Sequence, residues 1–133
     1  IFGPEDAPRV LRGIRSALTE RGRLFLDLDN KPHLLRYGGC HRNWYACHGS
    51  LTLQDVHFHY DISVEVTRDV TIHSDSRGPD EFICFKRIYE RGEIEALLEH
   101  EGFHIEALYG NWDLAPHGES SPKMIILAVK TRE

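Results

Sequence analysis

The stretch Leu18-Thr19-Glu20-Arg21-Gly22-Arg23-Leu24-Phe25-Leu26-Asp27-Leu28-Asp29-Asn30 holds a helix end, a glycine stop and an apolar strand in immediate succession. Upstream of it, Pro4 to Arg21 reads as a helix. Pro4 suits a first helical turn, Glu5 and Asp6 favour the positive N-terminal end, and Gly22 supplies the stop. Val10, Leu11, Ile14 and Leu18 recur at helical spacing on one face, while Arg9, Arg12 and Arg15 fall elsewhere as a solvated face. Gly13 inside this helix predicts a close packing contact. The run Leu24-Phe25-Leu26 suits a strand covered on both faces by helices. Helix, stop and buried strand together form the second half of a βαβ unit. The strand ends in Asp27, Asp29 and Asn30, and ligands of open parallel sheets sit beyond the carboxyl ends of their strands. Function is to be sought there first.

Downstream the texture changes. From Asn43 to Arg87, short β-type runs (Trp44-Tyr45-Ala46, Leu51-Thr52-Leu53, Val56 to Val66, Val70-Thr71-Ile72, Phe82-Ile83-Cys84-Phe85) are separated by turn signals. Those signals are His48-Gly49-Ser50, Thr67-Arg68-Asp69 and the segment Asp75 to Asp80. The pattern predicts antiparallel hairpins, a β-meander over residues 43–87 inserted into an α/β frame. Ile62, Val64 and Val66 alternate with Ser63, Glu65 and Thr67, so one face of that strand is wet. The frame then resumes. Glu90 to His100 reads as a helix with Ile94, Leu97 and Leu98 inward and Gly102 as its stop. Phe103 to Gly110 reads as a strand, Trp112 to Pro122 as a loop, and Lys123 to Lys130 as a final strand.

Composition bounds the function. The chain has 133 residues, 41% hydrophobic and 28% charged, which fits one folded domain. A net charge of −5 leaves no basic field for nucleic acid or an anionic membrane. No run approaches the ~20 apolar residues of a membrane span. Three cysteines (Cys40, Cys47 and Cys84) without framework spacing predict a reducing, cytoplasmic setting. The opening Ile1-Phe2-Gly3 reads as the end of a buried strand, so the expectation is a fragment of a longer protein.

Taken in order, these elements resemble the C-terminal half of a class I S-adenosylmethionine-dependent methyltransferase, the seven-stranded Rossmann-like fold. The residues that carry the resemblance are Phe2-Gly3 with Pro4-Glu5-Asp6, then Val10-Leu11-Arg12-Gly13-Ile14 and Leu18 to Asp27. They continue with Arg87-Ile88-Tyr89, Leu97-Leu98-Glu99-His100-Glu101-Gly102-Phe103, Tyr109-Gly110, and Ser120-Ser121-Pro122-Lys123-Met124-Ile125-Ile126-Leu127-Ala128. The resemblance implies an α/β fold in which Arg23–Asp29 is the fifth strand and the last two strands pair antiparallel at the sheet edge. It also implies that residues 43–87 cap the acceptor side in a subgroup acting on small molecules. The cofactor S-adenosylmethionine belongs, by this resemblance, to the parent protein. The family's glycine-rich loop and ribose-binding acid would precede Ile1, and no Gly-x-Gly-x-Gly occurs in the chain. Cofactor binding by the chain alone is therefore not expected, because only glycine lets the backbone approach the cofactor closely.

Methyl transfer to N, O or C is chiefly alignment plus removal of a proton. The receiving half should then present an aromatic-walled pocket with a few polar groups. Asn30, just past the fifth strand, is a candidate acceptor-side residue or a turn residue. Trp44 and Tyr45, at the start of the insert, are candidate pocket walls or core packing. Arg87 and Tyr89 lead into the following helix. Arg87 could clamp a carboxylate or phosphate bidentately, or form a surface ion pair. Trp112 and Asp113 fit loop packing better. The pairs Cys40-His41 and Cys47-His48 invite a metal reading, but adjacent residues on an extended chain point apart, and no metal is expected. His57 and His59 share one strand face, as proton acceptors or as solvated polar groups.

Two functions follow from different classes: the substrate side of a methyltransferase for a small molecule, or a non-catalytic interaction module keeping half of that fold. With its neighbouring strands absent, the fifth strand would expose a hydrophobic edge, and a homodimer through that edge is expected.

Overall fold

A computed structural model describes residues 5–37 and 39–131. The expected strand end at Ile1-Phe2-Gly3 and the expected helical Pro4 lie outside the described residues. The described residues form two compact units, one over residues 39–87 and one over 5–37 and 88–131.

The second unit is the α/β frame. It contains α1 (Asp6–Ala17), β1 (Arg23–Asp29), α2 (Lys31–Tyr37), α3 (Arg91–His100), β6 (Phe103–Tyr109) and β7 (Lys123–Lys130). Its sheet has the order β1-β7-β6, with the last strand of the chain central and antiparallel to both neighbours. Residues 23–29 thus share a sheet with residues 123–130, as the methyltransferase-like reading requires.

The register explains which face is buried. Leu24, Leu26 and Leu28 stand opposite Ala128, Ile126 and Met124. Phe103 of β6, Leu11 of α1, and Ile94 and Leu98 of α3 close on this face as one cluster. Met124, Ile126 and Leu98 are fully enclosed. Helix α3 begins with a capping box, the Glu90 and Glu93 side chains each accepting the other's backbone N–H. It ends at Gly102, whose φ of +81° any side chain would strain.

The other face of β1 departs from expectation. Phe25 is 49% exposed and meets only Trp112 of the β6–β7 loop as an aromatic neighbour, at 5.8 Å between ring centres. On that face Ile125, opposite Asp27, is fully buried, so the strand is open to solvent at Phe25 and not along its whole length. Gly13 has nothing within 4 Å of its would-be Cβ, so it makes no close packing contact.

The first unit is the insert, a four-stranded antiparallel meander in the order β2 (Cys40–Cys47), β3 (Ser50–His59), β4 (Val64–His73) and β5 (Asp80–Arg87). Its strands begin at Cys40 and not Asn43. His48 (φ 47°) and Gly49 (φ 79°) close the β2–β3 hairpin as a two-residue turn of left-handed residues. Thr67-Arg68-Asp69 is not a turn but the middle of β4. There the flanking strands hold it: Arg68 donates to Glu81 at 2.7 Å and Asp69 accepts from Gln54 at 3.0 Å. The chain reverses instead at residues 60–63, with Ser63 left-handed (φ 52°).

Candidate functional site

At the carboxyl end of β1 the frame opens into a cleft of about 630 Å³. Asn30 and Lys31 form its floor, Pro32 and Leu35 of α2 one wall, Glu90, Arg91 and Gly92 another, and His117, Gly118 and Glu119 of the β6–β7 loop a third. The position follows from the strand: β1 ends at Asp29, and the backbone carbonyl of Asn30 accepts the N–H of Leu34 as α2 starts.

Asn30 organises this end of the sheet. Asn30 is only 3% exposed, and the two hydrogens of its Nδ2 are shared among the carbonyls of Gly118 (3.1 Å), Glu119 (3.1 Å) and Ser121 (2.7 Å). Because the amide nitrogen is the donor, Oδ1 is an acceptor, and it lies 3.0 Å from His117 Nε2. His117 Nε2 must therefore carry the hydrogen, which leaves the Nδ1 lone pair free to accept. That Nδ1 is buried and has no hydrogen-bond partner. Burial, with the Arg91 guanidinium, pushes the His117 imidazole below its usual pKa, against an opposing pull from Glu95. The ring is thus neutral near neutral pH, with its tautomer assigned by Asn30. Beside the cleft, Lys31 Nζ lies 3.4 Å from Glu90 Oε1. Lys123 contacts Asp29 at 3.2 Å and Asp27 at 3.4 Å. Burial acts to lower its pKa, but those two carboxylates together raise it.

The residues singled out from the sequence divide between the units. Asn30 lines the cleft, with its carboxamide engaged at both ends by the loop. Tyr89 precedes α3 in the same unit and packs, partly buried, against the frame core. Trp44, Tyr45 and Arg87 belong to the insert. Trp44 and Tyr45 are 71% and 50% exposed and, as neighbours on β2, point to opposite faces of its sheet. They cannot wall one pocket from the same side. Arg87 ends β5 and stands opposite Val64, on the same face as Trp44. Cys40 and Cys47 sit at the two ends of β2, and Cys40 Sγ lies 3.6 Å from His57 Nδ1. Among the described residues no three His, Cys, Asp or Glu side chains converge as a metal site.

His117 went unremarked in the sequence. Its one local signal is a titratable residue beside Gly118, in the loop that joins the last two strands. Nothing local points from there to Asn30.

S-adenosylmethionine, implied by the resemblance, needs a glycine turn where a strand passes into a helix. Gly49 closes a hairpin and Gly102 ends α3, while the β1–α2 junction reads Asp29-Asn30-Lys31. The described junction of β1 with α2 therefore holds no such glycine turn.

No protein-family model matches the sequence, and no curated protein does. Solved structures do. An S-adenosylmethionine-dependent methyltransferase from Clostridium acetobutylicum superposes with a TM-score of 0.79 at 15% identity, over 99% of this chain and 54% of its own. The CcbJ methyltransferase from Streptomyces caelestis gives 0.76 at 11% identity, over 98% and 52%. CalS10 from Micromonospora echinaspora, an amino pentose methyltransferase with S-adenosylmethionine bound, gives 0.58 at 14%, over 98% and 53%. The chain spans about half the length of these proteins, and its fold is that of a matching half of an S-adenosylmethionine-dependent methyltransferase.

Proposed function

We propose that this chain is the acceptor-side half of an S-adenosylmethionine-dependent methyltransferase acting on a small molecule, and that it does not hold the cofactor by itself. The observation that carries the reading is the cleft at the carboxyl end of β1, in a fold like that of those enzymes. A transferase of this kind must orient a nucleophile and accept its proton. His117 offers a neutral imidazole whose Nδ1 has no competing partner, positioned by Asn30. The charged lining of the cleft is balanced, Lys31 and Arg91 against Glu90 and Glu119, so it sets no charge on the acceptor. The exposed free thiols of Cys40, Cys47 and Cys84 suit a reducing, cytoplasmic setting. Among the described residues no helix is long and apolar enough to cross a membrane.

Calorimetry of the chain with S-adenosylmethionine should show no binding tighter than millimolar; sub-millimolar affinity removes the claim that the cofactor lobe lies elsewhere. In the longer enzyme, His117→Gln should lower kcat by roughly 10²–10⁴-fold, the usual contribution of a positioned base. An unchanged kcat and pH profile would remove His117 from the reaction.

A further inference from the structure

The insert presents one face that its own strands leave bare. By register, Trp44, Leu51, Leu53, Ile72, Ile83 and Phe85 share that face across all four strands. Each of them is between 36% and 71% exposed. Together they present on the order of 600 Å² of apolar surface, the upper range for a lone monomer and close to one partner's share of a standard interface.

Polar residues on the same face say what would cover it. Arg42, Asp55, Arg68 and Glu81 cross its middle, two positive and two negative, so the middle carries no net charge, and Arg87 lies at one end of the face. They are paired along it: Arg42 lies 3.4 Å from Asp55 and Arg68 lies 2.7 Å from Glu81. An anionic lipid surface or a nucleic acid would require a basic face. An apolar face whose middle is crossed by balanced charges of alternating sign is instead complementary to itself.

We propose that this face of the insert docks against the same face of a second copy of the chain, in a two-fold sheet-on-sheet packing. Two such sheets pack with strands nearly aligned and about 10 Å apart. With the two-fold axis along the strands, between β3 and β4, Leu51 lies over Ile72 of the second copy and Leu53 over its Val70. The same operation sets Asp55 over Arg68 of the second copy, so opposite charges meet at the centre of the interface. A groove of about 490 Å³ beside Trp44, bounded by Leu53 and Val70, gives the surface relief for interdigitation. This surface is distinct from the free edge of β1, and the proposal rests on the insert alone.

Light scattering on the chain at tens of micromolar should report a dimer. Leu53→Glu places a charge where the apolar faces meet and should yield a monomer with an unchanged circular dichroism spectrum. In a Trp112→Phe background, Trp44 fluorescence should shift to the blue as concentration rises through the dimerisation range. This second readout needs no disruptive substitution in the insert. A wild-type monomer overturns the proposal. So does a dimer that survives Leu53→Glu with no shift of Trp44, which would assign association to another surface such as the β1 edge.

Discussion

The two units are built from similar apolar content but use it differently. In the frame, a three-stranded sheet receives two helices on one face, and Met124, Ile126 and Leu98 are sealed from solvent. In the insert, a wider sheet carries long aromatic and aliphatic side chains of which most remain exposed. Every residue of β2 is exposed, and so is every residue of β5 before Arg87. The insert's buried residues are Val56, Phe58, Thr52 and Glu65, half of them polar. A single sheet without a second layer cannot enclose both faces. Stability therefore resides in the frame, while the insert offers surface. The cleft sits at the carboxyl end of β1, where Asn30 ties its loop wall to the strand end.

Substitutions should separate the two regions. The largest effect is expected in the frame: Leu98→Ala removes a fully buried side chain between α3 and the sheet and should cost about 2–5 kcal/mol in a urea titration. A loss under 1 kcal/mol would mean that the frame core is not the stabilising element.

Next comes the link between frame and cleft. Asn30→Ala removes the side-chain donor to the carbonyls of Glu119 and Ser121 and the acceptor for His117 Nε2, while Gly118 O keeps the Ser121 N–H, and should cost about 1–3 kcal/mol. Hydrogen exchange should rise at residues 117–121 and not in α1. Uniform exchange across the frame would instead show Asn30 acting through global stability alone.

A pH series sharpens the same point. The folded-state pKa of His117 lies below its unfolded value, so the unfolded chain takes up the proton first. This contribution to stability is complete above the ordinary imidazole pKa of about 6.5 and is lost as pH falls from there through the folded-state value. His117→Gln should flatten that part of the stability profile. An unchanged slope would place the titration elsewhere.

The smallest effect belongs to the insert. Phe82, 65% exposed and on the face away from Trp44, should tolerate alanine within about 0.5 kcal/mol. A loss comparable to that of Leu98→Ala would show that the insert has a core of its own.

Local chemistry made much of this architecture legible. The final strand falls at Lys123–Lys130, and α3 starts and stops at Glu90 and Gly102, because periodicity, capping and left-handed glycines act within a few residues. The resemblance located the sheet shared by β1 and β7. Two readings went astray where neighbours overrode local signals. Thr67-Arg68-Asp69 has turn-like polarity but lies in a central strand, held by Glu81 and Gln54. Phe25 looked like a residue covered on both faces, yet solvent reaches it.

The amino-acid order by itself determined which segments become helices and strands and where the frame gives way to the meander, since those preferences are settled between near neighbours. Only the tertiary structure decided that Asn30 and His117, 87 positions apart, share a hydrogen bond that selects one imidazole tautomer. It also decided that Trp44 joins Leu53 and Ile72 on one face while Tyr45 turns away. A strand's alternation says that neighbours point apart, but strand pairing alone says which distant side chains they join.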